Sequence, residues 1–425
     1  MAEDTSDKAE NRKAPRSNLR ERISMLYWLA RHPVHAVGFI HGTAYNIIIR
    51  LINIIRAAIA NSTIVIATVL SKRPRRLRSV IHVSLTSHKQ YMLSRLLRRR
   101  GIKSAFLAVN TSKADRLGIG NDYRIPIDMP ALRRKLYSMW LLFTVLSRYD
   151  VIHYHFNAFL FEDAYDLYFL KRLGKFIVIH FRGCDLRCRS VNFAKNPALN
   201  VCQECDYPEG SCDSPYQRAR IEFARQYGDL FFVTTPDLLD FFEAAEHMPF
   251  TAPVEVDFAS IPPLPKSEGV FRVVTSSNHP GLDGVAHIRS AIERLRAEGY
   301  PVELLEVIRK PYREVIAAYK SADLFAGKLL MGYYNNANIE TMMMGVPNIS
   351  YIREEYLHKI EPCPIIIARP DTFYDTLKDW LGKPEKLKEI GLQGPAFVAR
   401  NHSPDIIIDM MIERYNEMIS ARSSK

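Results

Sequence analysis

The chain has 425 residues, of which 47% are hydrophobic, 11% aromatic and 24% charged, with 19 glycines and 24 prolines. This length predicts two or three domains, and the composition excludes a disordered, fibrous or low-complexity chain. Lysine and arginine outnumber aspartate and glutamate by 58 to 46, which gives a net charge of +12. Residues 22–114 hold sixteen lysines and arginines and no acidic residue, so the remaining chain has a net charge of −4. This basic segment predicts an anionic partner.

Residues 1–22 are polar and mixed in charge, which predicts a disordered tail. The first apolar stretch begins near Ile23, too late for a secretory signal peptide. We therefore expect a cytoplasmic protein.

Residues 23–78 are predicted to form a basic, amphipathic helical segment on a membrane surface. Apolar residues recur at helical spacing in 45–60, together with Arg50 and Arg56, and a basic run follows at 72–78. Such a run attracts anionic lipid headgroups, which indicates a peripheral position on the inner face of the cell membrane. Packing on a protein surface and a transmembrane hairpin remain alternatives, although the uncharged runs fall short of the ~20 residues that a span requires. The basic residues lack interleaved aromatics, which argues against nucleic acid as the partner.

From residue 79 onward, short β-rich runs alternate with helical stretches. The first half has apolar runs at 79–84, 104–109, 150–156 and 175–181. Near-continuous apolar strands are typical of parallel sheets covered by helices, which bind ligands at the carboxyl ends of the strands. A proline-rich linker at 260–269 precedes a second series of strands that begins at Phe271.

The predicted fold class is therefore α/β, with two doubly wound Rossmann-like domains and an N-terminal helical basic extension. The domains are expected at 79–262, which includes a cysteine-rich insertion at 184–212, and at 263–402. Residues 403–425 are predicted to form a helix that packs back on the domains.

Three segments carry a family resemblance. They read VIHYHFNAF (151–159), VIHFRGCDLR (178–187) and GKLLMGYYNNANIETMMMGVPNISYIREE (327–355). In the order of their motifs they resemble the GT-B retaining glycosyltransferases of the group 1 or family 4-like class, from Ser79 to the C-terminus.

The resemblance implies a nucleotide-sugar donor held by the second domain. Glu340 would accept hydrogen bonds from the donor ribose, and the loop at 331–336 would face the transferred sugar. Backbone N–H groups at the start of a helix suit phosphate or sugar oxygens. A purely packing role for Glu340 remains an alternative. The predicted donor-binding residues are Glu340, Gly332, Tyr333, Tyr334, Asn335, Asn278, Arg309 and Lys310.

The resemblance also implies an acceptor side in the first domain, where His180 matches the family's active-site histidine. Arg182 and Asp185 are the other predicted catalytic residues, and fixed donors and charges there would orient an acceptor hydroxyl or stabilise the departing diphosphate. The predicted acceptor-side residues are His155, Gly183 and Arg187. His153 and His155 point to one face of their strand, so either could instead be a core residue.

The chain departs from the family pattern at two donor positions. Asp283 stands where relatives carry a phosphate-binding lysine, and Arg309, Lys310 or Lys328 are candidates to replace that cation. Gly332 stands where the first glutamate of the family's pair is found, eight residues before Glu340.

Five of the six cysteines lie between Cys184 and Cys212. Four thiolates, at Cys188, Cys202, Cys205 and Cys212, could bind a structural zinc ion tetrahedrally. With four protein ligands such an ion would not be catalytic. Unligated thiols, disulfides and an iron–sulfur cluster are the alternatives, and a cytosolic chain favours metal over disulfides.

Two functional hypotheses follow. The first is a membrane-associated glycosyltransferase, of the hexosyltransferase type, that moves a sugar with retention from a nucleotide-sugar donor to a lipid-linked or surface-glycan acceptor. This hypothesis includes a role in polysaccharide biosynthesis. The second is a catalytically degenerate GT-B subunit that binds a glycan or a protein partner as a scaffold.

Overall fold

The computed structural model describes residues 74, 76–85, 88–109, 120–208, 210–253 and 256–423, together with Leu51. The predicted tail and nearly all of the predicted membrane-surface segment lie outside the described residues. The residues from Ser71 onward form one compact unit that contains two parallel sheets.

The first sheet has seven strands, and helices connect most of them. Its elements are β1 (Ser79–Leu85), α1 (His88–Arg99), β2 (Lys103–Val109), β3 (Tyr123–Ile125), α2 (Ala131–Thr144), β4 (Val151–His155), α3 (Tyr165–Arg172), β5 (Phe176–Phe181), α4 (Arg189–Lys195), α5 (Pro215–Tyr227), β6 (Leu230–Val233) and β7 (Glu246–His247). Two short 3₁₀ helices lie at Leu146–Arg148 and Pro236–Asp240. The strand order is β3-β2-β1-β4-β5-β6-β7, and all the pairs are parallel.

The second sheet has five parallel strands in the order β12-β11-β10-β8-β9. Its elements are β8 (Phe271–Ser276), α6 (Pro280–Asp283), α7 (Val285–Ala297), β9 (Val302–Val307), α8 (Tyr312–Lys320), β10 (Leu324–Ala326), α9 (Asn336–Met343), β11 (Asn348–Ser350), α10 (Glu354–Leu357), β12 (Ile365–Ile367) and α11 (Phe373–Leu381). Two long helices follow, α12 (Pro384–His402) and α13 (Pro404–Ser423). The predicted α/β class with two doubly wound parts is confirmed.

The strands form because they are apolar on both faces. β1, β4 and β5 are buried almost throughout, as parallel strands between two helical layers must be. α13 returns to the first sheet, where Ile407, Met411 and Tyr415 share one core with Leu93 of α1 and Val178 of β5. The C-terminus of the chain therefore stabilises the first sheet rather than the second.

Within the described ranges, no helix is long and apolar enough to cross a membrane.

Candidate functional site

A cavity lies at the carboxyl ends of β5 and β6 of the first sheet, beside the segment that follows β7. Such edges are where parallel α/β sheets bind ligands. The residues that line the cavity come from α1, β5 and the residue after it, the segment after β6, the segment after β7, and α13. They are Lys89, Leu93, His180, Arg182, Thr234, Met248, Pro249, Phe250, Thr251, Ile407 and Met411.

His180 is the next-to-last residue of β5 and lines this cavity. Its Nε2 atom lies 3.1 Å from Thr234 Oγ1, while its Nδ1 atom has no partner among the described residues. Burial lowers the pKa of His180 well below its ordinary value, and Arg182 lowers it further. A neutral imidazole can orient a hydroxyl group through a hydrogen bond. It does not act as a general acid at neutral pH, because it does not hold the extra proton.

Asp185 shapes the loop that follows β5. Its Oδ1 atom accepts hydrogen bonds from the backbone N–H groups of Arg182, at 3.0 Å, and Gly183, at 2.7 Å. Burial raises the pKa of Asp185 to about 6, although these hydrogen bonds favour the charged form. The structure thus gives Asp185 a positioning role in the loop.

Arg182 lies inside the same loop and lines the cavity, with its guanidinium 5.6 Å from the ring centre of Phe156. Burial lowers the pKa of Arg182 to about 10, so the group remains cationic at neutral pH. Arg187 behaves differently, because it forms a buried ion pair with Asp237 at 2.6 Å. That pair fixes the end of the loop, and Arg187 is not part of the cavity lining.

Lys89 is the functional candidate that the sequence analysis missed. Its Nζ atom donates to the Thr251 carbonyl oxygen at 3.0 Å and to Asn336 Oδ1, at the start of α9 in the second half of the chain. Burial lowers the pKa of Lys89, and the nearby Glu340 carboxylate opposes that shift. The one available signal was a lysine four residues after the end of the first strand.

Glu340 lies on α9 and faces this lysine across the gap between the two sheets. It is 9% exposed, and burial raises its pKa, although Lys89 and a hydrogen bond from the Tyr312 hydroxyl both favour its charged form. Lys89, Arg182, His180 and Glu340 therefore bring two cations, a neutral imidazole and a carboxyl group to one region.

The predicted donor loop at 331–336 is partly a core element. Tyr333 and Tyr334 are 2% and 1% exposed, and the Tyr334 hydroxyl lies 2.9 Å from His402 Nε2 on α12. Asn335 caps α9, because its side chain accepts from Ala337 N at 2.9 Å. Contacts of these three residues with a donor remain predictions.

Asp283 is neutralised within its own domain. Its Oδ1 atom lies 2.7 Å from Lys328 Nζ, and Ser277 Oγ donates to its Oδ2 atom at 2.6 Å. The charge of Lys328 is therefore already neutralised by the carboxylate of Asp283. Asn278, Arg309 and Lys310, the other predicted donor contacts in this part, are exposed.

The four predicted zinc ligands are not gathered around a point. Among the described residues, no three cysteine sulfurs lie within 4.8 Å of one another. Cys202 is buried and accepts a hydrogen bond from Asn192 Nδ2 at 3.2 Å. Its segment packs against the second half of the chain, in one core with Leu282 and Met331. A zinc ion on these thiols remains a prediction.

His155 is completely buried. Its ring lies 4.1 Å from the ring of His153 and 5.1 Å from that of His180, measured between centres. It does not line the cavity, and its contact with an acceptor remains a prediction.

Comparison with known proteins supports the fold. No protein-family model and no curated protein matches the chain. Among solved structures, sucrose-phosphate synthase from Thermosynechococcus elongatus aligns with a TM-score of 0.53 at 13% identity, over 81% of this chain and 100% of that one. HepE from Anabaena, solved with UDP and glucose, gives a TM-score of 0.52 at 10% identity, over 80% and 100% of the two chains.

The catalytic domain of starch synthase IV from Arabidopsis thaliana, bound to ADP and acarbose, aligns with a TM-score of 0.51 at 12% identity, over 82% of this chain and 100% of that domain. Such identities establish the architecture only. The chain has the two-domain GT-B fold, as the motifs predicted.

Proposed function

We propose that this protein is a glycosyltransferase that uses a nucleotide-sugar donor bound between the two sheet domains. One observation carries the proposal. Lys89 and Arg182 of the first domain line the same cavity, and Glu340 of the second domain is close enough to raise the pKa of Lys89. Solved proteins of this fold include HepE in complex with UDP-glucose, and an equivalent donor is the natural ligand for such a set of charges.

Lys89 supplies the phosphate-binding cation that position 283 lacks. A donor diphosphate requires positive charge, and Lys328 is engaged by Asp283 at 2.7 Å. Lys89 is partly buried at the gap, where it donates to the Thr251 carbonyl and to the Asn336 side chain, and the charge of Glu340 raises its pKa. A diphosphate between Lys89 and Arg182 would gain charge-assisted hydrogen bonds from both.

The reaction replaces one glycosidic oxygen by another on the same face of the sugar. The bond from C1 to the diphosphate oxygen breaks, a bond from C1 to the acceptor hydroxyl oxygen forms, and the hydroxyl proton passes to the departing diphosphate. Arg182 and Lys89 would stabilise the negative charge that develops on the leaving group. His180, whose Nδ1 atom has no partner within the described ranges and whose imidazole is neutral, would orient the acceptor hydroxyl.

Donor binding to three variants tests this assignment. Calorimetry with UDP-, ADP- and GDP-sugars should show one nucleotide class binding to the wild type and not to Glu340→Ala. Lys89→Met should weaken that binding about ten- to a hundredfold, since a hydrogen bond to a charged group contributes ~1.5–3 kcal/mol. Lys386→Met is the matched control, because Lys386 is an exposed lysine on α12 that is not among the predicted donor-binding residues.

Equal losses in Lys89→Met and Lys386→Met would refute the role of Lys89. If folded wild-type protein binds none of these donors, the proposal fails. The degenerate GT-B scaffold, which binds a glycan or a protein partner, would then be the better account.

The second part of the proposal is peripheral attachment to the anionic, cytoplasmic face of a membrane, where a lipid-linked or surface-glycan acceptor would lie. An exposed face of α2 supports it, with Leu136 and Trp140 one turn apart and 51% and 49% exposed. Ile127, just before the helix, is 54% exposed, and Arg133 lies one turn before Leu136. Exposed aromatic and aliphatic groups beside arginine are typical of interfacial helices.

Flotation with vesicles distinguishes the contribution of this face of α2 to membrane binding from that of the basic N-terminal segment. Full-length protein should float with vesicles that contain phosphatidylserine and stay behind with purely zwitterionic ones. Leu136→Ser/Trp140→Ser should reduce flotation, whereas Leu392→Ser, which alters an isolated leucine that is 68% exposed, should not. Undiminished flotation of the double variant would remove α2 from the proposal, and undiminished flotation after deletion of residues 1–78 would remove the N-terminal segment.

A further inference from the structure

Four histidines lie on one face of three adjacent strands. In the parallel register, His82 of β1 is opposite His153 of β4, and His155 of β4 is opposite His180 of β5. His82, His153 and His155 are completely buried, and Tyr415 of α13 covers this face. Such a set is unusual, because buried polar groups normally have hydrogen-bond partners.

Three of these rings converge. His82 Nδ1 lies 3.1 Å from His155 Nε2, and one ring nitrogen from each of His82, His153 and His155 falls within 4.8 Å of the others. Two nitrogens bound tetrahedrally to one zinc ion at ~2.05 Å would be about 3.3 Å apart. The distance from His82 Nδ1 to His155 Nε2 is close to this value, and the ring nitrogen of His153 would have to approach by at most about 1.5 Å.

Several ring nitrogens in this group have no partner. His82 Nε2, His153 Nε2 and His155 Nδ1 are buried and make no hydrogen bond within the described part of the chain. A buried polar atom without a hydrogen-bond partner is unfavourable. Of these atoms, His153 Nε2 is the one that an ion would satisfy, because the ring atoms of His82 and His155 that approach each other are Nδ1 and Nε2.

The partner of His153 supports ligation. His153 Nδ1 lies 2.5 Å from the Tyr415 hydroxyl. When Nδ1 carries the proton and donates to this oxygen, the lone pair of Nε2 is free to bind a metal ion. An outer hydrogen bond of this kind orients most histidine ligands of metal ions.

We propose that His82, His153 and His155 form a binding site for one divalent transition-metal ion of the zinc class. The group contains imidazoles and no carboxylate or thiolate, a donor set that suits zinc, copper, nickel and ferrous ions rather than magnesium or calcium. The positive charge of Arg182 opposes the ion, and Asp185 beside Arg182 offsets part of that charge.

The site would join β1 and β4 beneath His180, whose ring centre lies 5.1 Å from that of His155. Through Tyr415 it would also tie α13 to the sheet. This inference goes beyond the proposed transfer reaction and does not depend on it, because an ion here would have a structural role whether or not a donor binds.

Elemental analysis of the full chain, purified without chelator from cells grown with zinc, tests the site. We expect about one ion per chain in the wild type and a loss of that ion in His155→Gln. His402→Gln is the matched control, since His402 is also buried and lies outside the cluster. Because the cysteine segment is a second potential zinc site, Cys202→Ser/Cys205→Ser should retain the histidine-bound ion. Circular dichroism establishes that each variant is folded.

Cobalt decides the ligand type even if His155→Gln does not fold. Wild-type protein from cells grown in cobalt-supplemented medium should show visible d–d bands without the near-ultraviolet charge-transfer band of a cobalt–thiolate bond. A charge-transfer band would show that a cysteine site also binds cobalt. If Cys202→Ser/Cys205→Ser then removes all of the bound ion, the proposal is overturned. Wild-type protein with no stoichiometric metal from either medium would overturn it as well.

Discussion

Gly332→Ala should destabilise the protein more than an ordinary glycine replacement. Gly332 has a φ of +78°, and a β-carbon there would come within 2.7 Å of Arg353 Cδ. The left-handed backbone costs a residue with a side chain about 1–2 kcal/mol. Arg353 would also move away from Asp240, with which it forms an ion pair at 2.7 Å and about one-fifth exposure. That loss adds about 1 kcal/mol, for a total of about 2–3 kcal/mol.

Gly101→Ala is the control, because Gly101 has a φ of +77° and nothing within 4 Å of a β-carbon. It should cost only the backbone contribution, so that Gly332→Ala exceeds it by about 1 kcal/mol in urea unfolding followed by circular dichroism. Equal losses would refute the argument from Arg353. Gly332→Glu should likewise destabilise the chain, since its side chain would meet the stem of Arg353 before reaching any donor.

Two further predictions concern buried charge and pH. Asp237→Asn should cost about 3–5 kcal/mol in urea unfolding, because it leaves Arg187 buried without its partner, whereas Glu243→Gln, whose carboxylate lies 3.9 Å from Lys195, should cost almost nothing. Burial lowers the pKa of His402 to about 4, below the unfolded value of 6.5, so only the unfolded chain binds its proton between these limits and stability falls with falling pH. His402→Asn should reduce that slope between pH 6 and 4.5 by about 1.2 kcal/mol per pH unit, and an unchanged slope would contradict the assigned pKa.

The fold could be predicted because its signals are local. The runs around Val80, Ile152 and Ile177 are apolar on both faces, and each is followed by a helical stretch, so the parallel arrangement follows from the sequence. β3, β6, β7 and β12 were not predicted. They have two to four residues each, too few for a regular alternation of apolar residues to be recognised against the surrounding loop.

The site could be predicted only where a side chain follows directly from its strand. His180 and Arg182 lie at the end of β5, and the structure places both in the cavity lining. Lys89 was missed because its contact with Asn336 joins residues 247 positions apart and depends on how the two domains meet. Tyr333 was assigned to a donor loop, and local sequence could not show that it would be packed into a core.

The histidine cluster illustrates the same limit. Strand alternation placed His153 and His155 on one face, which the register confirms. The approach of His82 depends on β1 pairing with β4, a fact of strand order that no local pattern contains.

Charge at the gap between the domains has consequences for how a donor would be held. The charges of Asp283 and Lys328 neutralise each other within the second domain. Lys89 and Arg182 belong to the first domain. In the proposed enzyme, the cations that bind the diphosphate and the carboxyl group that binds the ribose therefore lie on opposite domains. A donor would gain its full electrostatic stabilisation only with the domains closed, as Lys89 and Asn336 hold them here. Donor affinity would then be coupled to the contacts between the domains, so that Asp240→Asn, which removes the ion pair between Asp240 and Arg353, should weaken donor binding although Asp240 is not a predicted donor contact.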